Sequence, residues 1–375
     1  MSEYTVVLRI IAVFALAGVV SYALTPFVKR FAHKIGAIDV PKDSRRMHKK
    51  PIPRLGGLAI FLAFLCTMLL FVNIDRQVLC ILIGATMVVI LGIFDDVMAL
   101  GAKLKFVIQI VAAAIPVCFG GLRIDMFSSL NPFSDTPYFS LGMLAIPITV
   151  LWIVGITNAV NLIDGLDGLA VGVSSIASLT MLAVGLLVGE LPVAMTMAAL
   201  TGACIGFMPY NINPAKIFMG DTGSTFLGYM LATMSIMGMF KFYAVISFAV
   251  PFLILGLPIF DTAVAIIRRV LSGRSPMSPD RGHVHHRLMD MGFNQKQSVA
   301  ILYAISGTLG LAAVVLTSRG EVRAMMLVIA VIVAIAIGTR VVLSIDKHLG
   351  HEHTVTTPED HEAASGKETK EDEKD

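Results

Sequence analysis

Asn158-Ala-Val-Asn161-Leu-Ile-Asp164-Gly165-Leu-Asp167-Gly168 stands between two apolar runs, residues 141–156 and 169–188. Amides at 158 and 161 and carboxylates at 164 and 167 recur every three residues. On a helix that spacing holds neighbours on one slowly drifting face. Gly165 and Gly168 then loosen the backbone. Hard oxygen ligands are thus gathered where an apolar segment stops, which is costly unless a cation or a substrate receives them. A polar helix cap, or a plain loop joining two spans, is the other reading of the same residues.

The flanking runs belong to a wider pattern. Apolar residues make up 56% of the 375 and charged residues 15%, with a mean hydropathy of +0.81. A soluble chain would carry about 25% charge. The apolar residues cluster into runs of roughly 17–25, the length a helix needs to cross a bilayer. The runs lie near 5–28, 55–73, 78–94, 104–120, 141–157, 169–188, 191–209, 224–240, 243–267, 299–316 and 324–343. The fold class expected is an all-α polytopic membrane protein of about eleven transmembrane helices. Residues 1–345 would form the membrane domain, and residues 346–375, mixed in charge and nearly devoid of apolar side chains, a disordered cytoplasmic tail. The first run is too long for a signal peptide and lacks a basic leader, so it reads as a retained span. The four cysteines all sit in apolar runs without metal-ligand spacing, and each reads as a buried, inert thiol.

Net charge, +3, says less than its distribution. With residues 29–54 placed inside, eighteen Lys and Arg fall on the cytoplasmic side and five outside. The positive-inside rule then sets the N-terminus outside and the C-terminus in the cytoplasm. Every unusual polar motif also falls on the cytoplasmic face, and the acidic and amide ones, at 95–96, 158–167, 221 and 261, did not enter the charge count.

Asp95-Asp96 ends the third run, where adjacent carboxylates repel unless a cation or a shared proton relieves them. Lys103 and Lys105 follow closely. Met219-Gly220-Asp221-Thr222-Gly223-Ser224 places an acid between glycines just before a span, whose N-terminal N–H groups would suit phosphate. Asp221 as a simple N-cap is the alternative. The loop containing Arg281-Gly-His283-Val-His285-His286-Arg287 is a dense cluster of donors. Zinc would lack a fourth ligand there, and magnesium prefers oxygen, so anion and sugar recognition is favoured. Arg45 to Gly57 reads as a basic hinge that anchors the second span and attracts anionic lipid. Asp261, about two turns inside the ninth run, has no clear partner; it would brace the site or bond a neighbouring helix. Oxygen ligands for Mg2+ and basic donors for phosphate, together at one membrane edge, fit phosphoryl transfer between a soluble nucleotide and a lipid phosphate.

Phe94-Asp95-Asp96, the Asn158–Gly168 stretch, Met219–Ser224 and His283-Val-His285-His286, in this order, resemble the polyprenyl-phosphate N-acetylhexosamine-1-phosphate transferases across about residues 29–298. The His-x-His-His form is similar to the WecA/TagO-type branch. The resemblance implies transfer of GlcNAc-1-phosphate from UDP-GlcNAc to undecaprenyl phosphate, with release of UMP, at the cytoplasmic face of the cell membrane. It implies Mg2+, with Mn2+ as a substitute, held by Asp221 and Asn161. Asp95 and Asp96 would be catalytic, one as a base or phosphate-orienting group and the other near the metal. Asp164 and Asp167 would line the nucleotide pocket, and Lys103 or Lys105 would neutralise phosphate. Arg281, His283, His285 and His286 would hold the sugar-phosphate. Membrane lipid is an expected partner and nucleic acid is not; a homodimer is compatible with the reading. One in-line attack and a covalent aspartyl intermediate both remain open. Two rivals stand beside this one: a phospho-N-acetylmuramoyl-pentapeptide translocase, and an ion-coupled transporter that would place its acids mid-span.

Overall fold

The computed structural model describes residues 3–40, 51–128, 138–239, 245–273, 275 and 282–318. All of them belong to one compact unit, Met1–Ala324. The eleventh run, the tail at 346–375 and Arg281 lie outside the described residues. The chain begins with α1 (Glu3–Ile35), two short antiparallel strands β1 (Ile38–Asp39) and β2 (Ile52–Pro53), then α2 (Gly56–Phe71), α3 (Arg76–Met98) and α4 (Ala102–Cys118). A second small pair, β3 (Met126–Ser128) and β4 (Tyr138–Ser140), precedes α5 (Ala145–Leu162), α6 (Leu169–Leu187), α7 (Leu191–Asn211) and α8 (Gly220–Met239). The remainder is α9 (Val245–Ile254), α10 (Gly256–Leu271), the short α11 (Val284–Asp290) and α12 (Gln295–Ser318).

The protein is thus all-α in its body and multi-pass by composition. Among the described residues six helical stretches are long and apolar enough to cross a membrane: residues 4–35, 76–98, 142–162, 169–187, 191–211 and 295–318. The first ten apolar runs each fall on helix, with three differences. The ninth run is two helices, because the chain breaks at Leu255 between Pro251 and Pro258. Proline lacks the N–H that a continuous helix would bond there. The helical periodicity inferred for 158–167 stops at Leu162, so only Asn158 and Asn161 share a helix, and Asp164 and Asp167 ride on the turn after it. Two thiols also depart from expectation: Cys80 and Cys204 are buried, while Cys66 and Cys118 face outward from their apolar helices.

The core is built around α8, which packs on α5, α3, α2 and α6. Phe226, Leu227, Tyr229 and Met230 are buried on all its faces, as suits a helix enclosed by others. Its hydroxyls bond back within the helix: Ser224 to Gly220 O, Thr225 to Asp221 O and Thr233 to Tyr229 O. In a bilayer, helices gain little from leaving lipid, so close van der Waals contact holds them together and small residues mark the crossings. Gly57 of α2 lies so near Gly223 of α8 that a Cβ would collide with its backbone, and Gly92 of α3 meets Thr222 in the same way.

Candidate active site

The C-terminal ends of α1, α3, α5 and α7 and the N-terminal ends of α2, α4, α6, α8 and α12 meet at one end of the bundle. Residues of α1, α5, α7, α8, α11 and α12, with the 51–54, 164–167 and 213–218 segments, line a cavity of about 840 Å³ there, and α3 and α4 adjoin it through the bonds of Asp96 and Lys105 to Asp221. Its described wall includes Lys29, Arg54, Asn161, Asp164, Asp167, Asn213, Asp221, His286 and Gln295. The segments that carry Asp95, Asp221 and the histidines therefore converge on one region, which a mid-span relay would not do.

Asp95 and Asp96 part company, because consecutive residues on a helix point about 100° apart and do not face each other. Asp95 Oδ1 accepts from Leu100 N at 2.8 Å, and its Oδ2 accepts from Lys105 Nζ at 2.8 Å. The tight turn after α3, with Ala99 at φ 51°, returns Lys105 to this position. Lys105 Nζ also reaches Asp221 Oδ2 at 3.0 Å, so one ammonium joins two carboxylates. Lys103 is exposed, whereas Lys105 is half-buried against the two carboxylates.

Asp96 turns the other way and caps α8. Asp221 N, Thr222 N and Thr222 Oγ1 donate to it at 3.0, 3.0 and 2.7 Å, and Arg54 Nε lies 3.2 Å away. Its side chain is 0% exposed. This corrects two expectations. Asp221 is not its own helix's cap, and the helix expected to open at Ser224 and offer its N–H groups to phosphate begins at Gly220 instead, with the N–H groups of Asp221 and Thr222 taken by the Asp96 carboxylate.

In sequence Arg54 is only the end of a basic hinge, yet in the fold it lines the cavity. Backbone pairing sets it there: Phe218 N donates to Pro53 O at 2.8 Å, and Gly56 N and Gly57 N donate to Phe218 O and Met219 O at 2.9 Å each. Its Nη2 lies 3.9 Å from Asp221 Oδ1. In sequence, only its place at the end of the hinge distinguished it from the other basic residues. Lys29, Asn213 and Gln295 were also missed, since each carries meaning only by its neighbours across the cavity.

On the turn after α5, Asp164 sits partly open to the cavity and otherwise enclosed. Burial, then the charges of Asp221 and Asp96, pushes its carboxyl up to about 8. Asp167 Oδ2 accepts from Asn213 Nδ2 and Ala215 N, both at 3.0 Å, so it braces the 213–215 turn as well as lining the cavity. Asn161 donates to Ser224 Oγ at 2.8 Å. Asn158 instead bonds Gln109 Oε1 at 2.6 Å, away from the described lining. Among the described oxygen donors on the wall, the carboxyl groups of Asp221 and Asp164 and the amide of Asn161 are ones a hard cation could use.

Of the histidines, His286 lines the cavity while His283 and His285 are buried behind it. Burial, then the neighbouring His286, lowers His285 to about 4, so it is neutral near pH 7. Asp261 gains a partner at last: its Oδ2 lies 2.8 Å from His283 Nδ1, and its Oδ1 accepts from Val284 N at 2.8 Å.

Fold and site together define a class: a multi-pass membrane protein whose helix ends surround a cavity that sets carboxylates against Lys and Arg, chemistry suited to phosphate groups. Comparison with known proteins agrees. Residues 78–239 match the family described as Glycosyl transferase family 4. A Bacillus subtilis protein named probable undecaprenyl-phosphate N-acetylglucosaminyl 1-phosphate transferase is 45% identical over 312 residues, 83% of this chain and 86% of its own. A decaprenyl-phosphate N-acetylglucosaminephosphotransferase of Mycolicibacterium smegmatis is 33% identical, over 86% of each chain. A phospho-N-acetylmuramoyl-pentapeptide-transferase of Staphylococcus aureus is more distant, 32% identical over 79% of this chain and 96% of its own. The chain belongs to this family of polyprenyl-phosphate N-acetylhexosamine-1-phosphate transferases.

Proposed function

We propose that the protein transfers GlcNAc-1-phosphate from UDP-GlcNAc to undecaprenyl phosphate, releasing UMP, as the first membrane step of a cell-envelope glycan. The observation that carries the reading is Asp221 on the cavity wall, with Arg54 beside it and Lys105 behind it, the lysine bonded to both Asp221 and Asp95. Two substrates that each bring phosphate need cations already in place, and fixed cations stabilise charge as it moves. The relatives whose names specify polyprenyl phosphate and N-acetylglucosamine align over more than four-fifths of the chain.

Arg54 and Lys105 would neutralise the two phosphate groups, and His286 would contact the sugar-phosphate. An oxygen of the lipid phosphate attacks the β-phosphorus; that P–O bond forms as the bond to UMP breaks. A phosphate monoester, with a second pKa of about 6, is largely ionised at neutral pH and needs no strong base. Asp96, tied by Arg54 and the start of α8, and Asp95, bonded to Leu100 N and Lys105, both have their oxygens engaged, which favours a single displacement over a covalent aspartyl intermediate.

Mg2+ suits the oxygen donors on the wall. Asp221, Asp164 and Asn161 would hold it, and once bound it would neutralise the pyrophosphate and the departing UMP. Among the described residues no three His, Cys, Asp or Glu side chains form a metal cluster. Mg2+ commonly takes one or two carboxylates and completes its shell with water and substrate phosphate.

Eleven spans, an outer N-terminus and a cytoplasmic site complete the reading, supported by the excess of Lys and Arg on one set of loops. The test is the purified full chain with Mg2+, undecaprenyl phosphate and labelled UDP-GlcNAc, or labelled UDP-MurNAc-pentapeptide in parallel. Lipid-soluble label and UMP should appear with the first donor. Product only with the second, or no UMP from either, overturns the assignment.

A further inference from the structure

Among the buried acids of the described residues, Asp261 is left without a role by this reaction. It is 3% exposed, on α10, away from the described cavity wall. A carboxylate only accepts, so the proton between it and His283 belongs to His283 Nδ1. The same carboxylate takes the N–H of Val284, the first residue of α11. Further along α10, Arg268 Nη1 donates to Gly282 O at 3.1 Å. The start of α11 is therefore pinned to α10 at residues 282, 283 and 284.

From this anchored start, α11 reaches the site. The His283 ring stacks on His285, with centroids 5.8 Å apart and 8° between planes. The His285 ring packs so closely on Gly165 that a Cβ there would strike its Nε2. Gly165 belongs to the turn that carries Asp164 and Asp167. His286, 4.3 Å from His285 between ring centroids, lines the cavity.

We infer that Asp261 is a positioning residue for the transfer reaction: by holding His283 and the first turn of α11, it seats His286 in the cavity and presses His285 against the acidic turn. The inference deepens the proposed function and rests on it for its kinetic half only. Asp261 acts through other side chains, so it sets how well the nucleotide-sugar is held rather than taking part in bond making.

The test uses the full chain in detergent with 15N-labelled histidine, as wild type, Asp261→Asn, His283→Ala, His286→Ala and the double variant Asp261→Asn with His286→Ala. Asparagine can still accept from Val284 with its oxygen, but then turns an NH2 toward His283. The His283 proton should move from Nδ1 to Nε2, and the His285 and His286 resonances should shift while that of His33 stays. His283→Ala, with Asp261 intact, should shift His286 too, which keeps the test open if Asp261→Asn folds poorly. In the transfer assay Asp261→Asn should raise the KM for UDP-GlcNAc about tenfold with kcat changed less than threefold, and the double variant should be no worse than His286→Ala. An unmoved His286 resonance, or losses that multiply in the double variant, would refute the inference. If no nucleotide-sugar is turned over, the reaction assignment fails while the resonances still decide the role of Asp261.

Discussion

Asp96 separates the structural from the chemical acids, and Asp96→Asn is the substitution that exposes the difference. Its Oδ1 accepts from Asp221 N and faces Arg54; its Oδ2 accepts from Thr222 N and Oγ1. Asparagine keeps one acceptor oxygen and turns its NH2 toward donors on the other side. One backbone N–H of α8 is then left unpaired in a dry setting, at a cost of about 1–3 kcal/mol. Losing the negative charge at a helix N-terminus adds about 0.3–1 kcal/mol. Arg54 is one-third exposed and can turn to water in the cavity, so its pair adds little. The sum is about 1.3–4 kcal/mol. At about 2 °C per kcal/mol, the low end for long chains, the melting temperature should drop about 3–8 °C. The assay is thermal unfolding of the purified protein in detergent, run beside Asp221→Asn. Asp221→Asn loses its bond to Lys105 but relieves the repulsion on Asp96 and Asp164, and should stay within about 2 °C of wild type while losing activity. An Asp96→Asn protein that melts with the wild type and is still inactive would show Asp96 to be chemical, and the capping argument would fall.

The same geometry fixes three further outcomes. Lys105→Ala leaves Asp95 and Asp221 facing each other without their shared cation, and turnover should fall at least a hundredfold, on the scale of about 2.7–4 kcal/mol for one lost transition-state donor; Lys103→Ala should stay within about twofold, and equal losses in the two would contradict the placement. Gly92→Ala drives a methyl into the Thr222 backbone and should cost about 1–3 kcal/mol, read as a lower melting temperature and less monodisperse protein on gel filtration. Asp164, at about 8 when folded against 3.8 as an ordinary carboxyl, binds its proton more tightly in the native state. The stability this contributes is complete below pH 3.8 and is lost as pH rises through 8, so without divalent cations the melting temperature should fall from pH 6 to 9 in wild type and flatten in Asp164→Asn. Added Mg2+ should displace that proton, seen as buffer-dependent heat in calorimetry.

The helical membrane body and the membership of its acids in one site were legible from residue order alone. Runs of apolar side chains can satisfy their backbones in lipid only as helices, and helices of fixed length must alternate ends. Alternation then brings residues 95, 161, 164 and 221 to the same end of the bundle whatever the packing. Which acid does what was decided by three-dimensional contact. Nothing in Asp95-Asp96 tells that one would take Lys105 and the other the start of α8, because that depends on which helix crosses α3 at Gly92. Arg54 looked like any basic anchor until the 53–57 backbone paired with 218–219 and swung it over the carboxylates. Asp261 looked misplaced until α11 folded back to bring His283 within 2.8 Å. Hydrophobic periodicity is a property of consecutive residues and survives in the one-dimensional string. The pairing of charges and donors is set by side-chain contacts between distant segments, and those exist only once the helices have packed.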